Sequence, residues 1–129
     1  MKANELRIGN YIQDRKGNEA IVEEISKDSF KAYSGCISYL PFEPILLTGD
    51  WLLKFGFYND LDSWFYSLDF DKKMETFKIA PIYSNNNHSG MFKVLNCQSL
   101  IKKTQYVHQL QNLFFAFTGE ELTDKSYEL

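Results

Sequence analysis

The sequence predicts an α+β fold: a mostly antiparallel sheet of about six strands, one short helix at about 48–55 and one amphipathic helix at about 104–118. Three observations carry this. Short β-branched and aromatic runs separated by turn residues open the chain. The segment from Tyr106 to Phe117 repeats apolar side chains at helical spacing. Aromatic residues reach 16% of a chain of 129, against 44% apolar and 24% charged residues overall. That is the composition of an ordinary globular protein that fills its interior with rings. The length corresponds to a single domain over 1–129, large enough to bury a core without disulfide or metal, with an acidic tail over 119–129.

In chain order, Arg7 to Asp14 reads as a strand with Ile8, Tyr11 and Ile12 among polar residues. Arg15 to Asn18 turns the chain, Glu19 to Ser26 follows as a strand, Lys27-Asp28 turns again, and Ser29 to Tyr33 closes a meander. By fold analogy alone this meander resembles part of a small SH3-like barrel. Ser34 to Pro44 is irregular, broken by Gly35, Pro41 and Pro44, with room for a short strand near Ile37 to Leu40. Thr48 is an N-cap candidate, Asp50 and Lys54 complement the helix dipole, and Gly56 suits the C-terminal stop; Trp51, Leu52 and Phe55 share one side. Ser63 to Phe70, Thr76 to Tyr83 and Met91 to Asn96 read as further strands. Pro81 argues for an edge position or a strand end, and Ser84 to Gly90 for a polar loop. In the last helix Tyr106, Val107, Leu110, Leu113, Phe114 and Phe117 form the apolar arc, with Thr104 as N-cap and Gly119 as stop.

The net charge of −3 is local. Glu120, Glu121, Asp124 and Glu128 against Lys125 account for all of it, leaving 13 basic and 13 acidic residues before position 119. A general basic excess of the nucleic-acid-binding kind is therefore missing. Met1 to Asn10 has no apolar leader segment and no run approaches a membrane span, so a soluble, cytoplasmic protein is expected. Cys36 and Cys97 stand 61 positions apart and are expected as free buried thiols.

No catalytic or metal-binding signature emerges, and no catalytic residue, metal or cofactor is expected. The glycines are scattered, with no phosphate loop or nucleophile elbow. His88 lies in an Asn-rich loop, and His108 has no carboxylate or histidine three or four positions away. The carboxylate pairs are Glu23-Glu24, Asp60 with Asp62, Asp69 with Asp71, and Glu120-Glu121; Asp69 and Asp71 converge on one face if a strand runs through both, but Asp71 reads as turn chemistry, and Asp60 and Asp62 flank a loop. Phe115 departs from the core pattern. It points about 140° from the centre of the last helix's apolar arc, at 100° per residue, on a back face with Thr104, His108 and Gln111. Either the tail, through Tyr127 or Leu129, or a partner covers it.

Three blocks carry a resemblance: NELRIGNYI from Asn4 to Ile12, ILLTGDWLLKFGF from Ile45 to Phe57, and YVHQLQNLFFAFTGEEL from Tyr106 to Leu122, together 39 of 129 positions. They resemble a group of small proteins, a domain of unknown function, from gut-dwelling anaerobic bacteria and their phages or mobile elements. Leu46 departs from the pattern, where a proline is expected, and Tyr58 to Lys103 lies outside the resemblance. The resemblance implies a cytoplasmic, stand-alone, phage-associated domain and brings no catalytic residues.

Three functional readings follow. The first is a non-enzymatic protein-interaction or accessory module of phage or mobile-element origin. It would bind a protein partner, or a second copy of itself, through Thr104, His108, Gln111 and Phe115. The alternative is a nucleic-acid-binding accessory protein that uses Lys93, Lys102 and Lys103 with exposed Tyr or Trp rings. The third is a hydrolase working through the acids between Asp60 and Asp71.

Overall fold

The computed structural model describes residues 1–35, 40–59, 66–69, 76–84, 87–96 and 99–125. The expected strand at 37–40, both cysteines, the acids Asp60, Asp62 and Asp71, and Tyr127 and Leu129 at the tail lie outside the described residues. The described chain is α+β, with two open antiparallel sheets of four and five strands and two helices. It groups into two compact units, Met1–Leu46 with Tyr106–Gly119 and Leu47–Gln105 with Glu120–Leu129.

The first unit contains a 3-10 turn (Ala3–Glu5), β1 (Tyr11–Gln13), β2 (Glu19–Ile25), β3 (Phe30–Tyr33) and β4 (Glu43–Pro44), in the order β3-β2-β1-β4. The β1–β2 connection is set by Asp14. Its Oδ1 accepts the Lys16 and Asn18 amides, both at 2.9 Å, and Gly17 supplies φ 87°. Leu6, Ile12, Ala20 and Val22 form the buried side of this sheet, with Phe30, Ala32 and Phe42 packed against them. The first strand is shorter than expected because Arg7–Asn10 is a turn: the Asn10 carboxamide accepts the Arg7 amide at 2.7 Å and Gly9 takes φ 97°. The sheet stays open and does not close into an SH3-like barrel.

The second helix of the chain also belongs here: α2 (Val107–Thr118) ends at Gly119, whose φ of 74° lets its N–H reach the Phe115 carbonyl. Its start corrects the sequence expectation. Thr104 ends a strand instead, and the extended residue before the helix is Tyr106, whose N–H donates to Gln109 Oε1 at 3.1 Å. The buried face is corrected too. Val107, His108, Leu110, Gln111 and Phe114 are buried, whereas Phe117 is 50% exposed. At 100° per residue the buried face is rotated by roughly 70° from the apolar arc.

The second unit contains α1 (Gly49–Lys54), β5 (Tyr58–Asn59), β6 (Tyr66–Asp69), β7 (Thr76–Ser84), β8 (Asn87–Asn96) and β9 (Ser99–Thr104). Its strands form a meander, β5-β6-β7-β8-β9. Helix α1 follows its sequence signals. The Thr48 hydroxyl accepts the Trp51 amide, the Lys54 ammonium lies 4.4 Å from the Trp51 ring centre, and Gly56 takes φ 94°. On one face of the sheet Leu68, Ile79, Phe92, Val94 and Thr104 are buried, and on the other Ser67 and Ala80; Trp51, Leu52, Phe55 and Phe57 are buried in and after the helix. Two expectations change. Pro81 lies inside the central strand β7, where the register shifts between Pro81 and Tyr83, so a bulge absorbs the missing donor. The polar segment 87–90 is the start of β8, and β9 adds a strand that the sequence reading lacked.

Candidate functional site

The four residues expected on the back face of the last helix are not all exposed, and one of them, Thr104, lies outside α2. In the first unit His108 and Gln111 are buried at 3% and 1% exposure, while Phe115 retains 38%. Thr104, in the second unit, is buried at the end of β9. The N-terminal segment of the first unit closes over the helix by hydrogen bonds. Gln111 Oε1 accepts the Tyr11 amide at 2.8 Å, and its Nε2 donates to the Gly9 carbonyl at 3.2 Å. Asn112 accepts from Asn10 Nδ2 at 2.9 Å and donates to the Glu5 carbonyl at 3.0 Å. A carboxamide with its donor and acceptor both satisfied can be buried at little cost. The Phe115 ring is overlaid by the Arg7 guanidinium, 3.7 Å from its centre, a cation–π contact within the same unit.

His108 is the one titratable group here with a displaced proton affinity. Burial pushes its imidazole below the ordinary histidine value, against the opposing pull of the Glu5 carboxylate. Its ring stacks on Tyr106, with centres 5.9 Å apart, and Nδ1 has no hydrogen-bond partner. With Nδ1 unpartnered, this imidazole lacks on that nitrogen the hydrogen-bonded group that ordinarily orients a general base.

Among the exposed apolar side chains of this unit, one set lies in register on the outer face of its sheet. Antiparallel register sets Tyr11 opposite Ile21 and Ile21 opposite Tyr33, so the three share one face across β1, β2 and β3. Ile21 is 43% and Tyr33 64% exposed, and β3 is a sheet edge. An ion pair between Lys31 and Glu24, at 3.6 Å, borders the row. Elsewhere in the unit an open cleft of about 520 Å³ lies between residues 1–4 and 27–30.

In the second unit the lysine set of the sequence reading is split and then completed. Lys93 faces Lys103 directly in the β8–β9 register, whereas Lys102 pairs with Val94 and so belongs to the opposite, core-bearing face. The register of β7 brings in Lys78 instead. It pairs with Leu95, two residues along β8 from Lys93 and on the same face. Lys103 is exposed; Lys78 and Lys93 are half-buried. Tyr58 stands on this face through the pairing of Tyr58 with Ser67 and of Ser67 with Lys78. Sequence reasoning misses Lys78 because the lysines that share its face, Lys93 and Lys103, lie 15 and 25 positions away; alternation of Lys78 with Ile79 and of Lys93 with Val94 is the available signal.

Among the described residues no group of three or more His, Cys, Asp or Glu is placed to hold a metal ion, and no helix is long and apolar enough to cross a membrane. The chain matches no protein-family model, no curated protein and no solved structure.

Proposed function

We propose that the chain is a non-enzymatic accessory module that acts by binding another protein, of the phage or mobile-element kind that the three sequence blocks resemble. The observation that supports this reading is the in-register row of Tyr11, Ile21 and Tyr33 on the outer face of the first sheet. A β-branched and an aromatic side chain left open side by side, bordered by charged residues, have the apolar centre and polar rim of a protein interface. The neighbouring edge strand β3 offers backbone groups to an added strand. The α2 back face has a different role: Gln111 and Asn112 are committed to holding the N-terminal segment.

The test is affinity capture from cells that make the protein, comparing the wild type with the double variant I21D/Y33D and with F115A. The expected result is a stoichiometric protein partner held by the wild type and F115A and lost by I21D/Y33D, with all three equally folded by circular dichroism. Capture of the same partner by wild type and I21D/Y33D alike would sink the assignment to this face.

A further inference from the structure

We infer that the lysine-bearing face of the five-stranded sheet binds single-stranded nucleic acid through Lys78, Lys93 and Lys103, with Tyr58 as a stacking platform. This goes beyond the proposed protein-binding role and uses a different unit of the chain. The register places the four side chains on one face, on β5, β7, β8 and β9. At about 4.8 Å per strand they cross roughly 19 Å of sheet, in a line running across the strands. Ser67 and Ala80, both small and buried, and Leu95, which pairs with Lys78, occupy positions between them.

Charge identifies the occupant. By register this face carries three lysines and one carboxylate position, Asp69 on β6, paired with Thr76 two residues from Lys78; among the described residues none of the three lysines has an ion-pair partner. Lys93 and Lys103 stand directly opposite one another, an arrangement that weakens an isolated sheet. A polyanion laid along the line neutralises both at once. The net charge of −3 does not oppose this, because at ~0.1 M salt a strand on the face feels charges within about 10 Å and little beyond. The exposed Tyr58 ring at the end of the line favours unpaired bases over a duplex, a lipid surface or an acidic peptide, since only an unpaired base presents a free π-face to stack on it. Cations that follow the backbone beside an aromatic that takes a base are the two components of sequence-tolerant single-strand binding.

The experiment measures anisotropy of a labelled oligodeoxythymidylate of about twelve nucleotides, within the span such surfaces cover, against the full chain over a salt series. Three phosphate contacts predict a slope of log K on log salt of about −2, and each single Lys→Gln change at 78, 93 or 103 reduces its magnitude by about 0.7. The triple variant K78Q/K93Q/K103Q loses binding at low salt, and Y58L weakens it about tenfold with the slope unchanged. K102Q, on the other face, retains the wild-type slope. Circular dichroism and thermal unfolding verify the fold of each variant; should the triple variant fail to fold, the exposed single change K103Q decides by its slope. The inference is overturned by absence of binding at low salt, by wild-type affinity in the folded triple variant, or by an unchanged slope in K103Q. Equal or tighter binding of the matching duplex, of poly-glutamate or of anionic vesicles also overturns it.

Discussion

His108 shows what a buried imidazole does to a small protein when burial outweighs the pull of a carboxylate, here that of Glu5. Its ring is enclosed, stacked on Tyr106, and unpartnered at Nδ1, so the neutral form is the one the fold accommodates. A histidine whose folded value is depressed is neutral in both states above its unfolded value of about 6.5, and there it leaves stability independent of pH. Below that value the unfolded chain takes up the proton first, and stability falls with pH until the folded form also protonates. Thermal unfolding midpoints should therefore decline from pH 7 towards pH 5 in the wild type. His108→Gln should decline less over that interval, whatever its midpoint at pH 7. Parallel declines in the two proteins would place the pH sensitivity on another group. The same local logic explains Gln111. It reads in the sequence as a solvent- or partner-facing polar residue, yet its two amide functions each find a backbone group, and the bonded carboxamide is buried as readily as a leucine.

At the scale of elements the rotation of α2 has a measurable consequence. Phe114 and Phe117 both belong to the apolar arc, and helical periodicity alone gives them equal standing. Phe114 is 2% exposed and Phe117 50%. Truncating a fully buried phenylalanine costs about 3–5 kcal/mol through lost transfer energy and the cavity left behind. Truncating one that is half in water costs a fraction of that. Phe114→Ala is expected to lower the denaturation midpoint severely and Phe117→Ala by no more than about 1 kcal/mol, both measured by denaturant unfolding. Equal losses would return the helix to its sequence-predicted orientation. The contrast marks where the sequence is readable. Local signals were legible: the Thr48 cap, Asp50 and Lys54, the glycine stops at 56 and 119, and the α+β class itself. What was not legible depended on partners distant in the chain. The carboxamide clamp joins residues about a hundred positions apart. The accommodation of Pro81 needs the β7–β8 register, and the alignment of Lys78 with Lys93 and Lys103 needs three strands in order. The apolar arc was read correctly as amphipathic, but which flank of it turns inward was decided by Asn10, Gly9 and Tyr11.

At the scale of the whole molecule, the path of the chain links the stability of the two units. The first is discontinuous, built from Met1–Leu46 and Tyr106–Gly119, and the 59 residues between them form most of the second. While the second unit is folded, the ends of that insertion are side by side, with the Leu47 amide donating to the Gln105 carbonyl at 2.9 Å. When it unfolds, the first unit has to close a flexible loop of that length, at an entropic cost of about 3–4 kcal/mol. That is a large share of the stability of a small domain. The first unit is thus expected to be less stable when the insertion is unfolded. Val94→Ala, in the buried face of the second sheet, should lower the protection of the Ile12 and Val22 amides in the first as well as its own. Tryptophan fluorescence reports on the second unit through the buried Trp51. Its unfolding curve should coincide with hydrogen-exchange loss at Ile12 and Val22 across a denaturant series. An earlier fluorescence transition, with Ile12 and Val22 still protected beyond it, would show that the first unit closes on itself without help from the insertion.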